Sequence, residues 1–219
     1  EEITEIKTVE DLEKFAESVN SGNSYNGKTV TLANDLDLSD IYNESGKSWT
    51  PIGSQDSDGY VINAFAGTFD GGNHSIKGLY INTETGKEQG LFGIVSGTVK
   101  NLSIEGEVTA SSAVGGIAGF NRSNIAVCEN SGNVICDNGF AGGIVGYLSS
   151  GVLYNCTYSN NDGLGIAGRN DMGQIITDED SKPTPPPVSP GTPTETPAPP
   201  TGTPEAPTGT PEAPTESPE

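Results

Sequence analysis

Apolar residues along most of this chain come in short runs bounded by Gly, Asn, Asp and Ser, and these runs show no sustained helical period. Such spacing predicts short strands joined by tight turns. One segment near the start differs. In "TVEDLEKFAESVNSG", Val9, Leu12, Phe15, Ala16 and Val19 recur at helical intervals and form one apolar stripe. Thr8 and Asp11 approximate a capping box, and Gly22 supplies a stop signal. A helix over residues 9–20 is predicted.

The strand segments repeat. "QGLFGIV", "VGGIAGFN", "AGGIVGYL" and "LGIAGRN" share a Gly-apolar-apolar-Gly core, whose leading glycines are Gly90, Gly116, Gly143 and Gly165, at intervals of 26, 27 and 22 residues. The stretches that follow align as well. Val99, Ile125 and Leu153 fall at one position, Leu102, Cys128 and Cys156 at another, and Gly106, Gly132 and Asn160 at a third. Asn in place of Gly predicts a turn with positive φ at that third position. The spacing of three between Val99 and Leu102 predicts a bend at Lys100-Asn101.

Self-similarity on this scale marks a repeat architecture. A unit of two or three short strands and bends is one coil of a parallel β-solenoid, with coils stacked about 4.8 Å apart. The repeated glycines then lie where the chain turns sharply, or where a Cβ would strike the next coil. A β-sandwich with Gly-rich turns is the competing arrangement, and the aligned columns favour the solenoid. The predicted fold class is all-β: a right-handed parallel β-solenoid with one N-terminal capping α-helix and a disordered Pro/Thr-rich C-terminal tail.

Three regions follow: residues 1–28 hold an N-terminal strand and the helix, 29–178 the solenoid, and 179–219 a low-complexity spacer. The helix would cover the exposed edge that a stack of coils leaves at its first end. "TVTLANDLDLS" supplies the first strands, and "WTPIG" and "FAGTFDGGNHSIKGLYI" the next coils. After "GIAGRN" the pattern dissolves, so Ile175 and Ile176 are expected to close the stack as an irregular coil. Beyond Lys182 lie 14 of the 15 prolines, with "TGTPEAP" repeated verbatim. That composition predicts an extended spacer, roughly 120 Å long if drawn out at ~3.1 Å per residue.

Charge and candidate chemistry refine this picture. Thirty acids face ten Lys and Arg residues, a net charge of −20. No basic stripe is present for phosphate binding, so nucleic acid and membrane surfaces are disfavoured partners, and the acidity suits an extracellular setting. His74 is the only histidine and sits in a glycine-dense turn, which points to a structural role. Asp35, Asp37 and Asp70 could hold Ca²⁺, a hard cation that prefers oxygen ligands. Alternatively Leu36 and Leu38 point inward while the aspartates face solvent or cap turns. No other cofactor is expected. Cys128 and Cys156 should stack in adjacent coils, as packed thiols or as a disulfide; Cys136 is the third. Ile94, Phe120 and Tyr147 align into an aromatic step, which either packs in the core or lies outside, where Phe120 and Tyr147 could stack on sugar rings.

The ordered set "TVEDLEKFAESVNSG", "NDLDL", "WTPIG", "GTFDGGNHSIKGLYI" and "GLFGIVSGTVKNLSIEG", followed by "GGIAG" and "GGIVG", resembles the GLUG-repeat family of bacterial surface proteins over nearly all of residues 3–170. The resemblance implies an exported multidomain protein whose solenoid serves display, adhesion or spacing. Some members carry peptidases, including immunoglobulin-A-cleaving ones, with the catalytic machinery elsewhere. No catalytic residue is carried over to this chain. The expected function is a non-catalytic extracellular structural or adhesion module, secreted or attached to the cell wall. Its expected partners are a host or cell-wall glycan or a surface protein. It would act as a monomer tethered to other domains, without membrane insertion. A carbohydrate-binding module, or a β-helix polysaccharide lyase or hydrolase, is the alternative. No signal peptide or anchor motif is spelled, so the chain reads as a processed or excised piece.

Overall fold

The short apolar runs wind into about five rungs of a parallel β-solenoid in the computed structural model, which describes residues 2–55 and 61–178. Strand β1 (Glu5–Ile6) and helix α1 (Val9–Asn20) precede the rungs. The first rung holds β2 (Thr29–Leu32) and β3 (Leu36–Asp37), then an inserted antiparallel hairpin of β4 (Ser54–Gln55) and β5 (Val61–Asn63). The second holds β6 (Thr68–Asn82), β7 (Glu88–Gln89) and β8 (Phe92–Val95), and the third β9 (Thr98–Ala110), β10 (Ala113–Gly115) and β11 (Ala118–Asn121). In the fourth come β12 (Asn124–Asn130), β13 (Asn133–Cys136), β14 (Phe140–Gly142) and β15 (Val145–Leu148). The fifth has β16 (Val152–Tyr154), β17 (Thr157–Tyr158) and β18 (Ala167–Asn170), and β19 (Gln174–Ile176) continues above it. The expected spacer at 179–219 lies outside the described residues.

Three parallel ladders run up the stack. One passes through β1, β2, β6, β9, β12, β16 and β19; a second joins β8, β11, β15 and β18; a third joins β7, β10 and β14. Register is set by the apolar alternation, because a one-residue slip would turn every buried side chain outward. Val30, Phe69, Val99, Ile125, Leu153 and Ile175 therefore stand in one column. Leu102 pairs with Cys128. Cys156 continues that column, since Ala126 pairs with Tyr154 and Glu129 with Thr157 on either side. β19 holds regular register with β16, so Ile175 and Ile176 extend the ladder where an irregular coil was expected.

The predicted bend is present. Asn101 has φ 55°, and its column neighbours Asn73, Val127 and Asn155 have φ 63°, 53° and 47°. Positive φ does not explain Gly106 and Gly132. Neither is in the left-handed region; a Cβ on Gly106 would lie 2.0 Å from Leu79 O, and one on Gly132 2.3 Å from Gly106 O. Crowding between coils selects glycine there, which corrects the turn expected from Asn160. The leading glycines stack through their backbones, with Gly116 N donating to Gly143 O (3.2 Å) and Gly143 N to Gly165 O (2.8 Å).

Helix α1 closes the first end. Its capping box is complete: Thr8 Oγ1 accepts from Asp11 N at 3.2 Å, and Asp11 Oδ2 accepts from Thr8 N at 3.1 Å. Leu12, Phe15, Ala16 and Val19 are buried. Phe15 meets Tyr25 and Phe65 edge-on, with ring centroids 5.1 and 5.6 Å apart, and Phe65 and Phe69 pass the contact on to Phe92. The apolar end of the stack is thus sealed by aromatic rings, which bury large areas in specific geometry.

Candidate binding face

The column Ile94–Phe120–Tyr147–Arg169 runs along one side of the solenoid. The neighbours of Phe120 in β11, Gly119 and Asn121, are buried, whereas Phe120 is half-buried. Tyr147 is likewise half-buried, Arg169 is exposed, and none of these three packs in the central core. This column faces outward, which decides between the two orientations that the sequence left open. Ile94 is fully buried, and β8, which carries it, lies beside strand β4 of the inserted hairpin.

Phe140 joins the patch from β14, with 38% of its surface exposed. The rings of Phe120 and Tyr147 are perpendicular, with centroids 5.1 Å apart, and Phe140 lies 6.2 Å from Tyr147. The Arg169 guanidinium covers both Tyr147 (4.9 Å) and Phe140 (5.2 Å), a cation–π arrangement. Its Nε donates to Asp171 Oδ1 at 2.8 Å, and Tyr147 Oη donates to Asp171 Oδ2. Arg169, and then Tyr147, hold the Asp171 carboxyl below the usual carboxylate range, while the bond to Asp171 pushes the Tyr147 phenol up. The result is an aromatic step with a fixed donor–acceptor edge. Its rings do not form one flat platform.

Arg169 and Asp171 escaped the sequence reading, although "GRN" aligns with "GYL" and places Arg169 directly above Tyr147. Phe140 carried no signal, because its column partners are Glu88 and Ala113.

The three candidate calcium ligands each have protein partners. Asp35 Oδ1 accepts from Ser75 N (2.8 Å) and contacts His74 Nδ1 (3.1 Å). Asp37 Oδ1 accepts from Ser39 N (2.9 Å) and Ser39 Oγ (2.6 Å), while its neighbours Leu36 and Leu38 are buried. Asp70 bonds Gly72 N and Asn101 Nδ2 at 3.0 Å and pairs with Lys100 at 2.9 Å. Partial burial pushes the Asp70 carboxyl up, but Asn101, Lys100 and Gly72 outweigh it and hold it low. These aspartates brace turns, and no cluster of three or more His, Cys, Asp or Glu suited to a metal occurs among the described residues. Asp35 and Asp70 bond to the chain around the bend that carries Asn73 and Asn101, whereas Asp37 holds Ser39.

Elsewhere, α1 and the segment 42–50 enclose a cleft of about 550 Å³, lined in part by Glu13, Glu17, Tyr42, Lys47 and Trp49. Glu13 accepts from Tyr42 Oη at 2.5 Å. Among the described residues, no helix is long and apolar enough to cross a membrane.

No family model matches the chain. Over 107 residues, 48% of this chain, it is 32% identical to a protein of Evansella cellulosilytica named as a Gly-rich membrane protein. Over 152 residues, 67% of this chain, it is 27% identical to the protein named halomucin of Haloquadratum walsbyi. These alignments span 12% and 2% of the length of those relatives. A solved structure from Bacteroides ovatus, described as an immunoglobulin A1 protease, is similar over 78% of this chain and 61% of that one, with 20% identity and a TM-score of 0.46.

Proposed function

We propose that this chain is a non-catalytic spacing and display module of an extracellular, surface-associated protein, built from repeats of the GLUG type. The observation that carries this reading is the uninterrupted ladder from β1 to β19. Each rung is hydrogen-bonded to the next and inward columns such as Val30–Phe69–Val99–Ile125–Leu153 are apolar, so the stack resists bending and holds its outer faces at fixed separations. A surface setting draws support from the relative named as a membrane protein and from the strongly acidic composition. Antibodies raised against the solenoid should label intact, unpermeabilised cells of the source organism. Labelling seen only after lysis would overturn the reading.

A second reading is favoured by the outward aromatic step. Phe120 and Phe140 offer apolar ring surface, while Arg169, Asp171 and Tyr147 Oη offer hydrogen bonds to hydroxyl groups, a combination suited to a neutral glycan at a cell wall or host surface. A glycan array probed with the chain, and with Phe120→Ala and Arg169→Ala variants, tests it. Signals lost in both variants support glycan binding, and an array that stays blank eliminates it.

A further inference from the structure

On the inner side of the left-handed bend, Cys128 and Cys156 occupy one column in the fourth and fifth rungs. The register on both sides of them makes them direct neighbours across one strand spacing. That spacing, about 4.8 Å, lies within the Cα separation that a disulfide accepts, about 4.4–6.8 Å. Both are buried, with 1% and 5% of their surface exposed. Each Sγ contacts a backbone carbonyl: Cys128 that of Ala126 at 3.4 Å, and Cys156 that of Ile125 at 3.4 Å. The third cysteine is separate. Cys136 pairs with Ala110 in another column, and its thiol lies 2.8 Å from Ser112 O.

We infer that Cys128 and Cys156 are a latent disulfide site, which staples the fourth and fifth rungs when the chain meets a small disulfide oxidant of the oxidised-glutathione class. Cys156 first loses its proton, and its thiolate attacks one sulfur of the oxidant, forming a mixed disulfide and expelling one thiolate. Cys128 then loses its proton and attacks Cys156 Sγ, which breaks the mixed disulfide and expels the second thiolate. The two protein thiols give up two electrons, the oxidant gains them, and the two protons end on the released thiols. The adjacent Cys128 side chain holds the Cys156 thiol below its ordinary range, which suits it to the first step.

The position in the stack explains what such a bond would do. The first end of the solenoid is sealed by α1 and its aromatic cluster. Among the described residues, β19 lies above Cys156, and its Ile176 O accepts from Asn155 N at 2.8 Å. Ile175 is 42% exposed there. Terminal rungs with few buried contacts open locally before the rest, which admits the oxidant. A bond between residues 28 positions apart then restrains the unfolded chain.

The test uses the full chain, unfolded in urea and refolded in a mixture of oxidised and reduced glutathione. The expected product is lighter by two hydrogens, yields a peptide linking Cys128 to Cys156, and leaves Cys136 as the one thiol open to alkylation. Its unfolding midpoint should lie at higher urea than that of the same chain kept reduced. Cys136→Ser should retain both results and Cys156→Ser should lose both. Should Cys156→Ser fail to fold, the mass and peptide map of the unaltered chain decide alone. Three alkylatable thiols at an oxidising poise would overturn the site, as would a linkage through Cys136 or glutathione adducts alone. A correct linkage with an unchanged midpoint would overturn the stapling role.

Discussion

Asn101 and Val127 stand one above the other at the same bend, both with left-handed backbone, φ 55° and 53°. Asparagine tolerates that region, whereas a β-branched residue there is a genuine outlier that costs on the order of 1–3 kcal/mol. Val127 is also 48% exposed, so its side chain gains little from burial. Val127→Asn should therefore stabilise the solenoid by about 1 kcal/mol, and Asn101→Val should destabilise it by at least as much. Urea unfolding of both variants checks the pair; a Val127→Asn protein no more stable than the parent would contradict the strain.

Gly106→Ala tests the second kind of glycine. With Leu79 O only 2.0 Å from the new Cβ, the second and third rungs must separate, at a cost of about 3 kcal/mol. A loss below about 1 kcal/mol would show that the coils can slide apart locally.

Asn130 replaces the apolar residue that its column leads one to expect, above Ile104 and below Tyr158. It is 1% exposed, donates to Gly143 O at 2.8 Å and accepts from Gly132 N at 2.9 Å. Asn130→Leu fits the column but strands the Gly132 N–H, and should cost about 2 kcal/mol. Gly143 O keeps its bond from Gly116 N, which limits the damage. The readout is the urea midpoint, with hydrogen exchange at Gly132 expected to accelerate.

Acid should weaken the fold over a narrow window. Asp11 is held below its ordinary range by the Lys7 N–H and the Thr8 side chain, Asp35 by Ser75 N and then His74, and Asp37 by the Ser39 hydroxyl and N–H. In each case the native carboxyl binds its proton less readily than the unfolded one, so stability is fully present above the unfolded pKa of about 3.9 and is lost as pH falls through the lower native value. The urea midpoint should be level from about pH 5 to 7 and decline below about pH 4. Thr8→Ala, which removes the cap, should cost about 1 kcal/mol at neutral pH and make the acid decline shallower.

Much of the architecture was legible because the solenoid writes its register into the sequence. Val99, Ile125 and Leu153 share a column for the same reason that they share a position in the repeat, and Val9–Asn20 carried both a stripe and a cap. What escaped was contact between elements distant along the chain. Glycine at 106 and 132 marks backbone against backbone, and a lone sequence does not separate that need from a turn. Phe140 reaches Tyr147 from a strand whose column is otherwise Glu88 and Ala113, so no periodicity announces it. Arg169 was within reach by alignment, but a cation stacked on two aromatics gains its meaning only once the rings are seen to point outward.

The paired registers of β9 with β12 and of β11 with β15 have an evolutionary consequence. Because each interior winding meets only the one before and the one after it, duplicating a stretch of 26 or 27 residues inserts a complete layer whose upper and lower surfaces already fit. The helical lid need not change, and the assembly lengthens by one strand spacing, about 4.8 Å. Reach can thus be tuned by unequal recombination within the gene, in steps that repeat the existing register between neighbouring layers.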